Sequence, residues 1–174
     1  LVGVRVPFLN DAIWRYAIAD AGDGAMAWRD EADRLVAFNI AHRSGTEAWM
    51  GPLCVRPDRQ LAGLGKEVVV AAIDWLKARD AATIGLETMP RTVDNIGFYS
   101  RLGFIPGSLT LTMTIETVAR GPREGEAALL GDLDPPRRAE RVAEIGRLVE
   151  LLAPGYDFRR EIELEVAGDD DLGD

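Results

Sequence analysis

An apolar run, Gly51-Pro52-Leu53-Cys54-Val55, passes through Arg56-Pro57-Asp58-Arg59 into Gln60-Leu61-Ala62-Gly63-Leu64-Gly65-Lys66 and then straight into an apolar-faced helix. Few local architectures accept that order. A strand must end, the chain must turn at positions 63 and 65, and a helix must open at once. The first N–H groups of a helix lack internal partners and carry partial positive charge, so an anion placed there gains several hydrogen bonds. Glycines at 63 and 65 let it approach the backbone without a Cβ in the way. Arg56, Arg59 and Lys66 are expected to add positive charge. In a chain of formal net charge −9, this local basic cluster is where a phosphorylated ligand is expected. The loop is not a P-loop, because Glu67 follows Lys66 and the glycines stand too close together; nor is it a dinucleotide fingerprint, which needs three glycines.

Periodicity places the loop within a mixed fold. Phe8, Ile13, Trp14, Ala17 and Ile18 recur at near-helical spacing over 7–21, before the turn Ala21-Gly22-Asp23-Gly24. Three strand-like runs follow, 25–30, 34–42 and 48–55, joined by short turns that imply an antiparallel meander. After the loop, 66–79 carries a broad apolar face of Val68, Val69, Ala72, Ile73, Trp75 and Leu76. A buried strand over 82–88, a helix over 93–102 stopped by Gly103, and an alternating strand over 109–118 complete an α+β domain at residues 1–118. Gly121-Pro122 and Asp134-Pro135-Pro136 punctuate a linker, 119–136. A C-terminal extension, 137–174, is expected to hold a helix to residue 152 and then a strand. Residues 158–169 loosely echo 11–23, which would also fit the start of a second module.

Composition narrows the chemistry. One cysteine, Cys54, and one histidine, His42, do not make a cysteine or multi-histidine metal cluster, so no metal is expected. No apolar stretch approaches the ~18–20 residues of a membrane span, so a cytoplasmic protein without membrane association is expected. The acidic balance argues against a nucleic-acid partner and favours a cationic one. Cys54, at a strand position, is read as a buried and inert thiol, and His42 as packing or solvent-facing.

Leu53-x-Val55-x-Pro57-x-x-Gln60-x-x-Gly63-x-Gly65 resembles the acyl-CoA-binding motif of the GNAT superfamily of N-acetyltransferases. At the right distance, Asn95-Ile96-Gly97-Phe98-Tyr99-Ser100-Arg101-Leu102-Gly103-Phe104 resembles that superfamily's later helix and turn. The likeness covers about residues 7–118 and implies a mixed, mostly antiparallel central sheet flanked by helices, with acetyl-CoA as co-substrate. It implies that the strand of Leu53, Cys54 and Val55 splays from the strand of residues 85–88, freeing backbone groups for the pantetheine arm. The pyrophosphate would then lie on Gln60, Leu61, Ala62, Gly63, Leu64, Gly65 and Lys66. Tyr99 matches the family's general acid, and Glu47 and Glu87 are the candidate bases for an amine acceptor, small molecule or protein. Thr92 stands where many members have an asparagine, and Asn95, a turn later, is the candidate replacement. Only Leu1 to Phe8 is available for the family's first strand and helix; either the chain is a piece of a longer protein or the C-terminal helix and strand take that place. A non-catalytic acyl-CoA-binding or interaction module of a tandem acetyltransferase is the alternative, and oligomeric state, a homodimer included, is left open.

Overall fold

The computed structural model describes residues 11–88, 93–108 and 129–170. Helix α1 (Asp11–Ala21) is followed by strands β1 (Ala25–Arg29), β2 (Leu35–Ser44) and β3 (Glu47–Val55), helix α2 (Leu64–Lys77), strand β4 (Thr83–Gly85) and helix α3 (Val93–Arg101). The extension forms α4 (Pro135–Leu152) and α5 (Arg159–Asp170). The sheet order is β1-β2-β3-β4, with β1, β2 and β3 antiparallel and β4 parallel to β3. The expected strand at 109–118 and residues 119–128 of the linker lie outside the described residues.

Alternation along β2 builds two covered faces. Ala41 joins Ala48, Met50, Val69, Ala72 and Leu76 in the core against α2. Phe38, of opposite parity, meets Trp14 of α1 edge-on at 5.9 Å between ring centroids. Helix α2 presents Val68, Val69, Ala72 and Leu76 as one buried stripe, the spacing that places side chains on successive turns. Ile84, Leu86, Phe98, Tyr99 and Phe104 close over the same cluster, so α3 lies on the α2 side.

Strand β3 carries an extra residue. Asn39 pairs with Leu53 and Ala41 with Met50, so Gly51 and Pro52 together oppose Ile40. Proline offers no N–H to a ladder, and a bulge is where a strand tolerates it. The bulge resets parity: Ala48 and Met50 face α2 before it, and Leu53 faces the same core after it. Cys54 is consequently exposed. This corrects the reading of a buried thiol, which assumed unbroken alternation from Ala48.

Among the described residues the extension is two helices joined by a short loop, which corrects the strand expected after residue 152. Leu164 and Val166 alternate with glutamates as a strand would, but Phe158, Ile162 and Val166 recur every four residues, and it is the helical period that the fold uses. Helix α4 is capped by Asp134, whose carboxylate accepts from the Arg137 N–H at 3.0 Å, with prolines in its first turn. Helix α5 packs on α1, so the two echoing segments are paired helices. The α4–α5 loop also grips the β2–β3 turn. The Thr46 N–H donates to the Gly155 carbonyl at 2.7 Å and the Ser44 hydroxyl to the Asp157 carbonyl at 2.8 Å. Gly45, at φ +67°, approaches the Gly155 carbonyl too closely for a Cβ to fit.

Strand pairing between β3 and β4 spans three positions and ends at Trp49 opposite Gly85, where the Trp49 ring occupies the space a Cβ on Gly85 would need. Gly85→Ala is expected to destabilise the fold by about 1–3 kcal/mol in urea melts. In a Trp49→Ala background that cost should largely vanish; an equal cost in both backgrounds would contradict this packing.

Candidate active site

The sequence expects a strand over 82–88, yet β4 ends at Gly85 while residues 86–88 continue unpaired with β3. β3 runs on for six residues to Val55. The sheet therefore splits just beyond Trp49 and Gly85. Which backbone groups face the gap follows from strand geometry. The Arg56 N–H donates to the Val36 carbonyl at 2.8 Å, so Arg56 and, two residues back, Cys54 address β2. Leu53 and Val55 point the other way. The Val55 carbonyl is taken by the Gln60 side-chain amide at 3.0 Å, leaving the Val55 N–H and both backbone groups of Leu53 toward the gap.

Gln60 thus ties the loop back onto the strand end. Leu61 then adopts φ +63° and Gly63 φ +89°, and Gly63 becomes the N-cap of α2. Lys66 and Glu67 N–H groups donate to the Gly63 carbonyl, but those of Ala62, Gly63, Leu64 and Gly65 reach no acceptor among the described residues. Four open donors at a helix N-terminus make an anion seat. The charge around it differs from expectation. Arg56 pairs with Asp58 at 2.6 Å, and Arg59 with Asp30 at 3.5 Å. Asp30 also holds Arg34 at 2.8 Å. Among the described residues Lys66 alone of the three expected cations lacks a carboxylate partner, so the seat rests on amides and one lysine.

Helix α3 closes the groove from the far side. A Cβ on Gly65 would lie 3.8 Å from both the Phe98 ring and a Val55 methyl, so loop, strand end and α3 meet there. Asn95 donates to the Thr88 hydroxyl at 3.4 Å, joining α3 to the free end beyond β4; Thr92 lies outside the described residues. Tyr99 packs between Phe98 and Phe104, at 5.1 and 5.9 Å. Burial pushes its phenol above the ordinary value of 10.0, so it is protonated at neutral pH.

Of the two candidate bases, Glu47 sits on the opposite face. Ala48 and Met50 face α2, so Glu47 and Trp49 face α1. On β4, Ile84 faces α2 and Gly85 faces the Trp49 ring, and Leu86, just past the strand, packs on the α2 side. Glu87 lies beyond the last pair, beside the gap, whereas Glu47 lies two residues before it and lines a cavity shared with Tyr16, His42 and Tyr156. Sequence reasoning missed one pair. His42 Nδ1 and an Asp20 carboxylate oxygen are 2.8 Å apart, with Asp20 only 2% exposed. The two stand 22 residues apart on different elements, and no local spacing reveals them. Among the described residues no group of three His, Cys, Asp or Glu side chains is placed to hold a metal ion, and no helix is long and apolar enough to cross a membrane.

A family model described as the Acetyltransferase (GNAT) family matches residues 5–104. The chain belongs to the GNAT acetyltransferase family. It is 36% identical over 72 residues to the ribosomal protein bS18-alanine N-acetyltransferase of Salmonella typhimurium, which is 41% of this chain and 49% of that protein. It is 39% identical over 77 residues to the uncharacterized N-acetyltransferase ycf52 of Porphyra purpurea, 44% and 42% of the two chains. This GNAT chain spans about half the length of the curated relatives it matches. Among solved structures, the ribosomal-protein-S18-alanine N-acetyltransferase of Escherichia coli superposes with a TM-score of 0.51 at 26% identity, covering 59% of this chain and 65% of that one. The BH1408 protein of Bacillus halodurans gives 0.54 at 22%, covering 65% and 78%, and speaks to the fold alone.

Two outcomes test this geometry. Gly65 has room for a methyl group within the protein and sits in a helix, so Gly65→Ala should leave the melting midpoint unchanged or raised. Its calorimetric Kd for CoA should nevertheless rise at least about tenfold; an unchanged Kd would remove the loop from the binding site. Separately, the Asp30 carboxyl is held well below its ordinary 3.8, chiefly by the Arg34 guanidinium. The stability it contributes is full above pH ~4 and drains away as pH falls, because the unfolded carboxyl binds its proton first. Asp30→Asn should flatten that acid limb in urea melts taken between pH 5 and 2.5.

Proposed function

We propose that the chain catalyses acetyl transfer from acetyl-CoA to a primary amine by direct attack. The observation that carries this reading is the split between β3 and β4, with open amides of the α2 N-terminus at one end and a carboxylate-bearing face behind it. Pantetheine lies along Leu53 and Val55 as a replacement strand, and the pyrophosphate rests on Ala62 to Gly65. Leu61 shapes the turn, Cys54 fixes the strand to β2, and Lys66 adds charge. The amine enters from the α1 face. A small-molecule amine or a protein α-amine fits this chemistry equally, and the name of the Salmonella relative favours the latter.

The ammonium first loses a proton to Glu87, directly or through water, and Glu47 holds the acceptor nearby. The neutral nitrogen attacks the thioester carbon; the C–N bond forms and the carbonyl oxygen becomes an oxyanion, stabilised by the Leu53 N–H. As the C–S bond breaks, Tyr99 gives its phenolic proton to the departing thiolate. The second proton on nitrogen returns to Tyr99 through water, so the products are the amide and neutral CoA thiol, with one proton released to solvent.

Tyr99→Phe should lower kcat by ~10²–10⁴ with an unchanged acetyl-CoA Kd. Because burial raises the Tyr99 phenol above 10.0, wild-type kcat should show no loss of the acid form until pH exceeds about 10. Glu87→Gln should lower kcat most at low pH, whereas Glu47→Gln should act on the acceptor KM. A Tyr99→Phe protein with wild-type turnover would overturn the mechanism.

A further inference from the structure

The extension contributes a wall to a cavity of about 430 Å³ on the α1 face, within the range of small-molecule sites. Tyr16 comes from α1, Trp49 from β3, and Tyr156 and Phe158 from the α4–α5 loop. The last two rings stack at 5.4 Å. Trp49 stands at the last β3–β4 pair, so the cavity's rim touches the split in the sheet. Four aromatic rings at one concave site offer faces that attract both an apolar body and a cation.

The charges around it are unequally used. Asp20 is shared by His42 at 2.8 Å and Arg160 at 3.3 Å. Arg43 turns its guanidinium to the Arg79 carbonyl at 2.6 Å. Glu47 and Glu161 remain. Among the described residues Glu161 has a fully buried carboxylate oxygen without a hydrogen-bond partner, and Glu47 forms no ion pair. A buried carboxylate oxygen without a donor is costly and is rarely left so unless something supplies one. The field is felt nearby: burial first, then Asp20 and Glu161, raise the Tyr16 phenol above 10.0.

We propose that this cavity is the acceptor pocket and takes a primary ammonium on an aromatic body, the ring against Tyr156 and Phe158 and the ammonium held by Glu47 and drawn by Glu161 on the Trp49 side, toward the split. The inference deepens the function proposed above and rests on it for the fate of the amine, though not for its binding. It assigns acceptor selection to residues 156–161, outside the span that the family model matches.

Calorimetric titration of the full chain, without acetyl-CoA, reads the pocket directly. The probes are 2-phenylethylamine, its neutral counterpart 2-phenylethanol and the aliphatic butylamine. The amine is expected to bind at least about tenfold more tightly than the alcohol, because a hydrogen bond to a buried charge is at stake. Glu161→Gln, nearly isosteric, should erase most of that difference, and Phe158→Leu should erase the preference over butylamine, both with unchanged far-ultraviolet dichroism. Equal binding of amine and alcohol, or a Glu161→Gln protein with wild-type preference, would overturn the proposal. A protein that binds the amine selectively but transfers no acetyl group would sink the enzymatic reading and leave the pocket standing.

Discussion

Everything in this molecule depends on where β3 and β4 stop pairing. Three register positions hold them together, and beyond Trp49 and Gly85 the strands part. A strand edge left unpaired inside a sheet must find other partners for its backbone, or bind something that supplies them. Gln60 satisfies one such group, the Val55 carbonyl. Among the described residues the groups of Leu53 and the Val55 N–H stay available, in line with four open amides at the start of α2. The gap is held rather than accidental: the bulge at Gly51-Pro52 directs Leu53 into the core while β3 passes on, and α3 stands against the loop at Gly65 and Phe98.

The two faces of the sheet then divide the work. On the α2 face, apolar packing from Ala41 to Leu76 fixes the strand ends and carries Tyr99 among aromatic neighbours. On the α1 face, aromatic rings and charged groups share one cavity, with Asp20, His42, Glu47 and Glu161 set among Tyr16, Trp49, Tyr156 and Phe158. A thioester held from one side and an amine offered from the other would meet at the split. The extension matters to this division because α5 and the α4–α5 loop cover the α1 face through Arg160, Gly155 and Asp157.

Much of this was legible in the sequence because the signals were local. The glycine loop, the α2 stripe and the run from Asn95 to Phe104 each lie within about four turns of chain, and the elements they predict appear within a residue or two of expectation. What could not be read depended on register or on distant partners. The exposure of Cys54 follows from one inserted strand residue that alternation does not reveal. Arg59 reads as a free cation until Asp30, more than two dozen residues earlier, is found beside it, whereas Arg56 is taken by its near neighbour Asp58. The segment after residue 158 satisfies both a strand and a helix pattern, and packing against α1 decides between them. The Asp20–His42 pair and the Glu161 carboxylate come together only through the fold.

Amide hydrogen exchange, followed residue by residue with and without CoA, tests the central claim most directly. A pantetheine arm lying in the split as a substitute strand predicts slowed exchange at Leu53, Val55 and Ala62 to Gly65, while Cys54, already paired to β2, changes little. Uniform slowing across the chain, or slowing confined to other elements, would contradict the view that the parted strands are the cofactor's seat.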